Sequence, residues 1–284
     1  MARTYTEELV WVESEDGIAH AGAVIRPAGG EIRSTPVVWI HGFTGRFYEP
    51  HALRIGQELA RQGYVFVTGN NRGHDFGAVL HPRAGEPRLG GAAWELLDES
   101  PFDVSAWIGL AVELGFRGVA LLGHSLGALK VAHYQAQRQD PRVVGLIVAS
   151  PPLRLGPPDP EMVALAERLV AEGRGQDLLP WGMRGGAAST VSAQTLLNRV
   201  KTGARVVGAG TTPSTIAQIR CPLLAFLGTN EEWIGTSAEL EALRRDAIAA
   251  PRVDTRMLEG ADHVYTGCEP EVARIIGEWV GTLG

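Results

Sequence analysis

Ser125 is the residue whose neighbours constrain its chemistry most. It stands in Gly123-His124-Ser125-Leu126-Gly127, directly after the apolar run "GVALL" and directly before the small and apolar "ALKVA". A serine flanked by glycines two positions either side, at a junction between a strand and a helix, fits a very tight turn that lifts the hydroxyl above the strand's carboxyl end. A side chain at either glycine would collide with neighbouring backbone. The helix that follows aims its N-terminus at the same point, so the Leu126 N–H can stabilise a developing oxyanion. The chemistry this suits is nucleophilic acyl transfer, which also needs a general base and an acid to orient that base. On its own, the pattern also fits a strand–helix connection that merely packs tightly.

Two further stretches favour chemistry. "HGFTG", residues 41–45, follows the short apolar run "VVWI". A second oxyanion donor usually comes from the loop after an early core strand. Gly42 permits close backbone approach there, and Phe43 would present its N–H; packing by the Phe43 ring is compatible with that, because the donor is backbone. His41 reads as a residue that orients this loop. "GADHVYTG", residues 260–267, follows the last apolar run and carries His263, the histidine placed to reach back to Ser125. His124 should point away along the turn, and the remaining histidines read as surface or packing residues. The acid should precede His263 in the chain. "GTNEEWIG" offers Glu231 and Glu232 and no aspartate. Spacing after Gly228 selects Glu231, with Glu232 and more distant carboxylates as alternatives; Asp262 reads as a stabiliser of its own turn. Trp233 beside the acid and Trp181 further upstream are candidates for lining a substrate pocket, or for ordinary packing.

These residues need a scaffold that brings distant strand ends together. Short β-type runs alternate with helical patterns along the chain, which implies a mostly parallel sheet covered on both faces. Asp16-Gly17 between two β-type runs signals a hairpin. "EPHALRIGQELARQG" has helical spacing and ends at Gly63, a C-cap candidate. The rhythm breaks between residues 151 and 219, where no convincing strand pair is legible. That segment combines a Pro-rich entry, an amphipathic "EMVALAERLVAEG", a Gly-rich "WGMRGGAAST" and a helical stretch around "SAQTLLNRVKTG". We read residues 1–150 and 220–284 as a core domain and residues 151–219 as a helical lid inserted into it.

Bulk properties exclude several classes. With 284 residues, 45% hydrophobic and 20% charged, the chain can bury one large core, and disorder is not expected. A net charge of −6 and scattered basic residues give no footprint for nucleic acid. Neither of the two cysteines, Cys221 and Cys268, has metal-ligand spacing, and both read as free thiols of a reducing compartment. No apolar stretch is long enough to span a membrane. The expectation is a cytoplasmic protein that needs neither metal nor cofactor; a homodimer is compatible with it.

On these motifs, with the Arg72-Gly73-His74 loop, the chain resembles the α/β-hydrolase superfamily over nearly its whole length. The resemblance implies an α/β fold with an eight-stranded, mostly parallel sheet, helices on both faces and a helical lid after the sixth core strand. It also implies that Arg72 and Asp75 brace the oxyanion loop. Among the branches, small esterases of the feruloyl or cinnamoyl type look nearest, although Leu126 and Glu231 stand where a polar residue and an aspartate are usual. The expected activity is hydrolysis of an ester or thioester of a small molecule by Ser125, His263 and Glu231, with Phe43 and Leu126 at the oxyanion. Alternatives are an acyltransferase or thioesterase of a biosynthetic pathway, and a small-molecule binding protein on a hydrolase scaffold.

Overall fold

The computed structural model describes residues 4–154, 158–184, 187–202 and 214–283. Strands β1 (Tyr5–Glu13) and β2 (Ala19–Pro27) form the expected antiparallel hairpin, with Gly17 at φ 78° in its turn. β3 (Val37–Ile40) and β4 (Phe66–Gly69) follow, separated by helix α1 (Pro50–Arg61). A small hairpin, β5 (Ala78–Leu80) with β6 (Arg88–Gly90), precedes α2 (Ser100–Glu113). Next come β7 (Val119–His124), α3 (Leu126–Arg138) and β8 (Val143–Ala149). After α4 (Pro160–Ala171), hairpin β9 (Gly182–Arg184) with β10 (Ala187–Ser189), and α5 (Ala193–Thr202), the chain returns through β11 (Leu223–Gly228), α6 (Ser237–Asp246), β12 (Val253–Leu258) and α7 (Glu269–Val280).

The main sheet has eight strands in the order β1-β2-β4-β3-β7-β8-β11-β12, parallel from β4 onward. Its central strands carry no polar alternation because both faces are covered. Every residue of β3, β4, β7 and β11 is buried. α1 shows how a surface helix docks. Pro50 occupies its first turn, where a missing N–H costs nothing. Ala52, Ile55, Gly56, Leu59 and Ala60 form one helical stripe and are the buried residues, and Gly63, at φ 94°, ends the helix in a conformation that favours glycine. α1 and α7 share one hydrophobic cluster on one face of the sheet, while α2, α3 and α6 contribute to the cluster on the other.

The segment 151–219 departs from expectation in one respect. It contains α4 and α5 as anticipated, but β9 and β10 pair between them, Ala187 opposite Arg184 and Ser189 opposite Gly182. Three-residue strands are too short for period-two alternation to register in a sequence. Residues 155–157, 185–186 and 203–213 of the expected lid lie outside the described residues. α4 and α5 build their own small apolar cluster from Ala166, Leu169, Leu179, Val191, Ala193 and Leu196, and Phe43 of the loop after β3 packs against it. The same segment is tied to the core loop before α2: the Trp94 indole N–H donates to the Gln176 carbonyl (2.9 Å), and the Ser192 N–H to the Ala93 carbonyl (2.7 Å).

Candidate active site

The turn between β7 and α3 explains its glycines sterically. Ser125 adopts φ 57° and ψ −125°, a left-handed backbone that a non-glycine residue enters only when its surroundings enforce it. A Cβ on Gly123 would run into the Gly127 carbonyl, and one on Gly127 into the Ile40 carbonyl. A Cβ on Gly42 would sit against the Ser125 Cβ and the Leu126 nitrogen, so the loop after β3 is pressed onto the turn. Phe43 is the next residue in that loop. Leu126 opens α3, where the first N–H groups have no partner inside the helix.

Three of the residues singled out in the sequence meet here. His263 Nε2 lies 3.0 Å from Ser125 Oγ, and His263 Nδ1 lies 2.7 Å from Glu231 Oε2. Glu231 is fully buried, whereas Glu232 is exposed and engages Arg154 through its backbone carbonyl. The second Glu231 oxygen, Oε1, accepts from the Gly228 N–H (2.5 Å) and from the Ser150 hydroxyl (2.6 Å). Asp262 accepts from the N–H groups of Val264 and Thr266, capping its own turn. With Nδ1–H donating to the carboxylate, Nε2 of His263 is free to accept the serine proton; the arrangement can generate a serine nucleophile.

Neighbouring imidazoles are kept neutral. Burial, reinforced by Lys130, pushes His41 well below the ordinary histidine range; its Nε2 accepts from the Asn71 N–H (3.1 Å), and Nδ1 faces the Gly42 carbonyl (3.0 Å). It holds the loop, as its position suggested. Burial, with the facing His263, lowers His124 likewise. His124 points away from Ser125 and donates from Nε2 to the His263 carbonyl (2.7 Å). Arg72 is buried and pairs with Asp16, Glu99 and Asp103, which anchors the loop carrying Asn71. Asp75 joins the loop of residues 41–45 directly, its N–H donating to the Gly45 carbonyl (3.1 Å), while its carboxylate pairs with Arg46 and His74 at the rim.

The two tryptophans occupy different places. The Trp233 ring stands edge-on to His263 with centroids 5.0 Å apart, and the side chain is half exposed. Trp181, within the insertion, stacks on Phe76 of the loop after β4 at 6.0 Å and is 67% exposed. A largely buried ionic cluster, which no motif marks, lies beneath the insertion. Glu95 pairs with Lys130 of α3 (2.6 Å) and with Arg199 of α5 (3.3 Å), and the Arg199 guanidinium lies 5.7 Å from the centroid of the Phe43 ring. Ser150 and Tyr265, absent from the sequence-based candidates, place their hydroxyls 2.7 Å apart behind Glu231. Nothing local in either segment marks them. Both cysteines are free thiols. Among the described residues, no group of three metal-ligating side chains is brought together, and no helix is long and apolar enough to cross a membrane.

Comparison with known proteins follows the same lines. Residues 37–275 match the model of a family described as the alpha/beta hydrolase family. No curated protein matches the sequence. Est1E from Butyrivibrio proteoclasticus, solved with ferulic acid bound, is 19% identical, with 96% of this chain and 98% of that chain covered at a TM-score of 0.68. A soluble variant of monoglyceride lipase from Saccharomyces cerevisiae, in complex with a substrate analogue, is 17% identical over 96% of this chain and 94% of that one, TM-score 0.68. The Pyrococcus furiosus esterase Pf2001 is 17% identical over 99% and 95%, TM-score 0.63. At these identities the likeness to the solved structures is one of fold. The family match spans the sheet from β3 to α7, and by it this chain belongs to the alpha/beta hydrolase family.

Proposed function

We propose that this chain is a serine hydrolase that cleaves an ester or thioester of a small molecule through an acyl-enzyme intermediate. The observation that carries the reading is the hydrogen-bonded line from Ser125 through His263 to a fully buried Glu231, begun on a strained turn. Ser125 Oγ attacks the carbonyl carbon as His263 Nε2 takes its proton, and Glu231 stabilises the imidazolium that results. The Phe43 and Leu126 N–H groups bind the oxyanion. Collapse expels the alcohol or thiol, which receives the proton from His263. Water, activated by the same histidine, then releases the acid and restores the serine.

Residues 151–219 act as a lid that bears on substrate choice, with Trp181 and Trp233 as apolar walls. Phe43 supports this part of the reading, because its ring packs on the insertion while its amide belongs to the oxyanion loop. The ferulic acid bound to Est1E makes aryl-acyl esters a sensible first panel. Acyl transfer to an alcohol or thiol other than water remains the nearest competing reaction, since it uses the same acyl-enzyme.

The test is turnover of short-chain aryl esters together with a serine-reactive fluorophosphonate. Labelling at Ser125, with parallel loss of ester cleavage, is the expected result. A protein that binds such esters but neither turns them over nor takes the label would instead be a binding protein on this scaffold. For the lid, replacing residues 158–202 with the corresponding segment of a relative should alter the order of preference across an ester panel. An unchanged order would remove the lid from substrate selection.

A further inference from the structure

We infer that Ser150 and Tyr265 are positioning residues that hold Glu231 in register with His263. This rests on the proposed triad and extends it inward. The Tyr265 hydroxyl donates to Ser150 Oγ (2.7 Å), and the Ser150 hydroxyl donates to Glu231 Oε1 (2.6 Å). All three side chains are buried from solvent.

A glutamate in this role carries one more rotatable bond than an aspartate. Unheld, its carboxylate would sample several positions relative to the imidazole, and most would not present Oε2 to Nδ1. Ser150 and the Gly228 N–H grip Oε1 from two directions, which leaves Oε2 for His263 Nδ1 at 2.7 Å. Three donors thus converge on one carboxylate, two of them on Oε1 and the imidazole on Oε2. Burial and the Glu231 charge push the Tyr265 phenol well above its ordinary range, so it keeps its proton and can donate inward to Ser150, whose own proton goes to Glu231.

The backbone is bent to serve these hydroxyls. Ser150 (φ 45°) and Tyr265 (φ 60°) both adopt left-handed conformations without being glycine. Such strain persists only where surrounding contacts over-determine it. Ser150 is fixed by its N–H to the Phe226 carbonyl (2.9 Å). The Tyr265 ring is wedged against His124 at 5.4 Å and Phe226 at 5.8 Å. Tyr265 also lies two residues beyond His263, so one loop carries both the base and the far end of the acid's support. A shift of that loop moves the base and loosens the acid together.

The experiment is a double-mutant cycle in ester hydrolysis. Ser150→Ala should lower kcat by about tenfold to a hundredfold with KM little changed, the scale expected for losing one hydrogen bond to a buried charge. Tyr265→Phe, which keeps the ring, should lower kcat by about three- to tenfold on the same argument. Because both act through the carboxylate, each should add less than about twofold on top of Glu231→Gln. Should Ser150→Ala fail to fold, Tyr265→Phe and its own cycle decide the matter. With Glu231→Gln crippled, the inference is overturned if Ser150→Ala and Tyr265→Phe both keep wild-type kcat, or if their losses multiply in full on Glu231→Gln. A fully active Glu231→Gln enzyme would instead overturn the triad reading, and this inference with it.

Discussion

Replacing Ser125 with alanine is expected to lower kcat by about 10⁶-fold, as loss of the nucleophile does in other serine enzymes. Several features keep this variant interpretable. The turn is enforced by backbone contacts around Gly123, Gly127 and Gly42, none of which involves the serine hydroxyl. Alanine meets nearly the same left-handed penalty at φ 57° as serine does, so the strain is not relieved and the fold should persist. The oxyanion donors are backbone amides and remain. Circular dichroism and the thermal transition should match wild type, and a non-reactive substrate analogue should bind with unchanged Kd. Near wild-type turnover in protein shown to be free of contaminating esterase would sink the nucleophile assignment.

Glu231→Gln is expected to lower kcat by roughly 10²–10⁴-fold, by analogy with triad aspartates. Glutamine is nearly isosteric and can still accept from Ser150 and from the Gly228 N–H. If its amide NH₂ then faces His263 Nδ1, two donors confront each other. The imidazole must turn or change tautomer, and Nε2 is no longer free to take the serine proton. Stabilisation of the imidazolium is lost at the same time. Glu232→Gln should stay within about tenfold of wild type, because that side chain is exposed and outside the hydrogen-bonded line. The two variants should be assayed side by side. A crippled Glu232→Gln beside an active Glu231→Gln would mean that another carboxylate orients the histidine.

What could be read from the sequence divides by range. The turn at Ser125 is legible because its requirement is steric and local: small residues at fixed offsets between an apolar run and a helix. Alternation of strands and helices is legible for the same reason, since β3, β4, β7 and β11 are buried on both faces and mostly apolar. Glu231 could be singled out from its spacing after Gly228, where a strand end restricts which residue turns inward. Its support could not. Ser150 lies 81 residues from Glu231 in the chain and 115 from Tyr265, and the two hydroxyls acquire meaning only once β8, β11 and the loop after β12 are assembled. Lys130 illustrates the same limit. Four residues into an apolar helix it reads as an oddity, and its partner Glu95 sits in a loop with no motif of its own. Hairpins β5–β6 and β9–β10 escaped because three residues carry no periodic signal.

The parallel pairing of β8 with β11 limits how far the intervening segment can change. Leu223 lies level with Leu146 and Phe226 with Ala149, so the chain leaves one strand at the height where the next is nearly finished. It must travel back down the sheet before it can re-enter. A connection of this kind cannot be a tight turn and needs roughly a dozen residues or more. Part of the descent is visible. The short helical turn Thr215–Gln218 packs beside α3, Gln139 donates to the Gln218 carbonyl (2.9 Å), and Ile216 and Ile219 are wholly buried among the core residues. Those residues form the part of the segment that completes the crossover. Their handedness and length are dictated by sheet topology, whatever the substrate. In an evolving lineage or a grafting experiment, length variation should concentrate before residue 214, while the stretch from there to Ile219 behaves as scaffold.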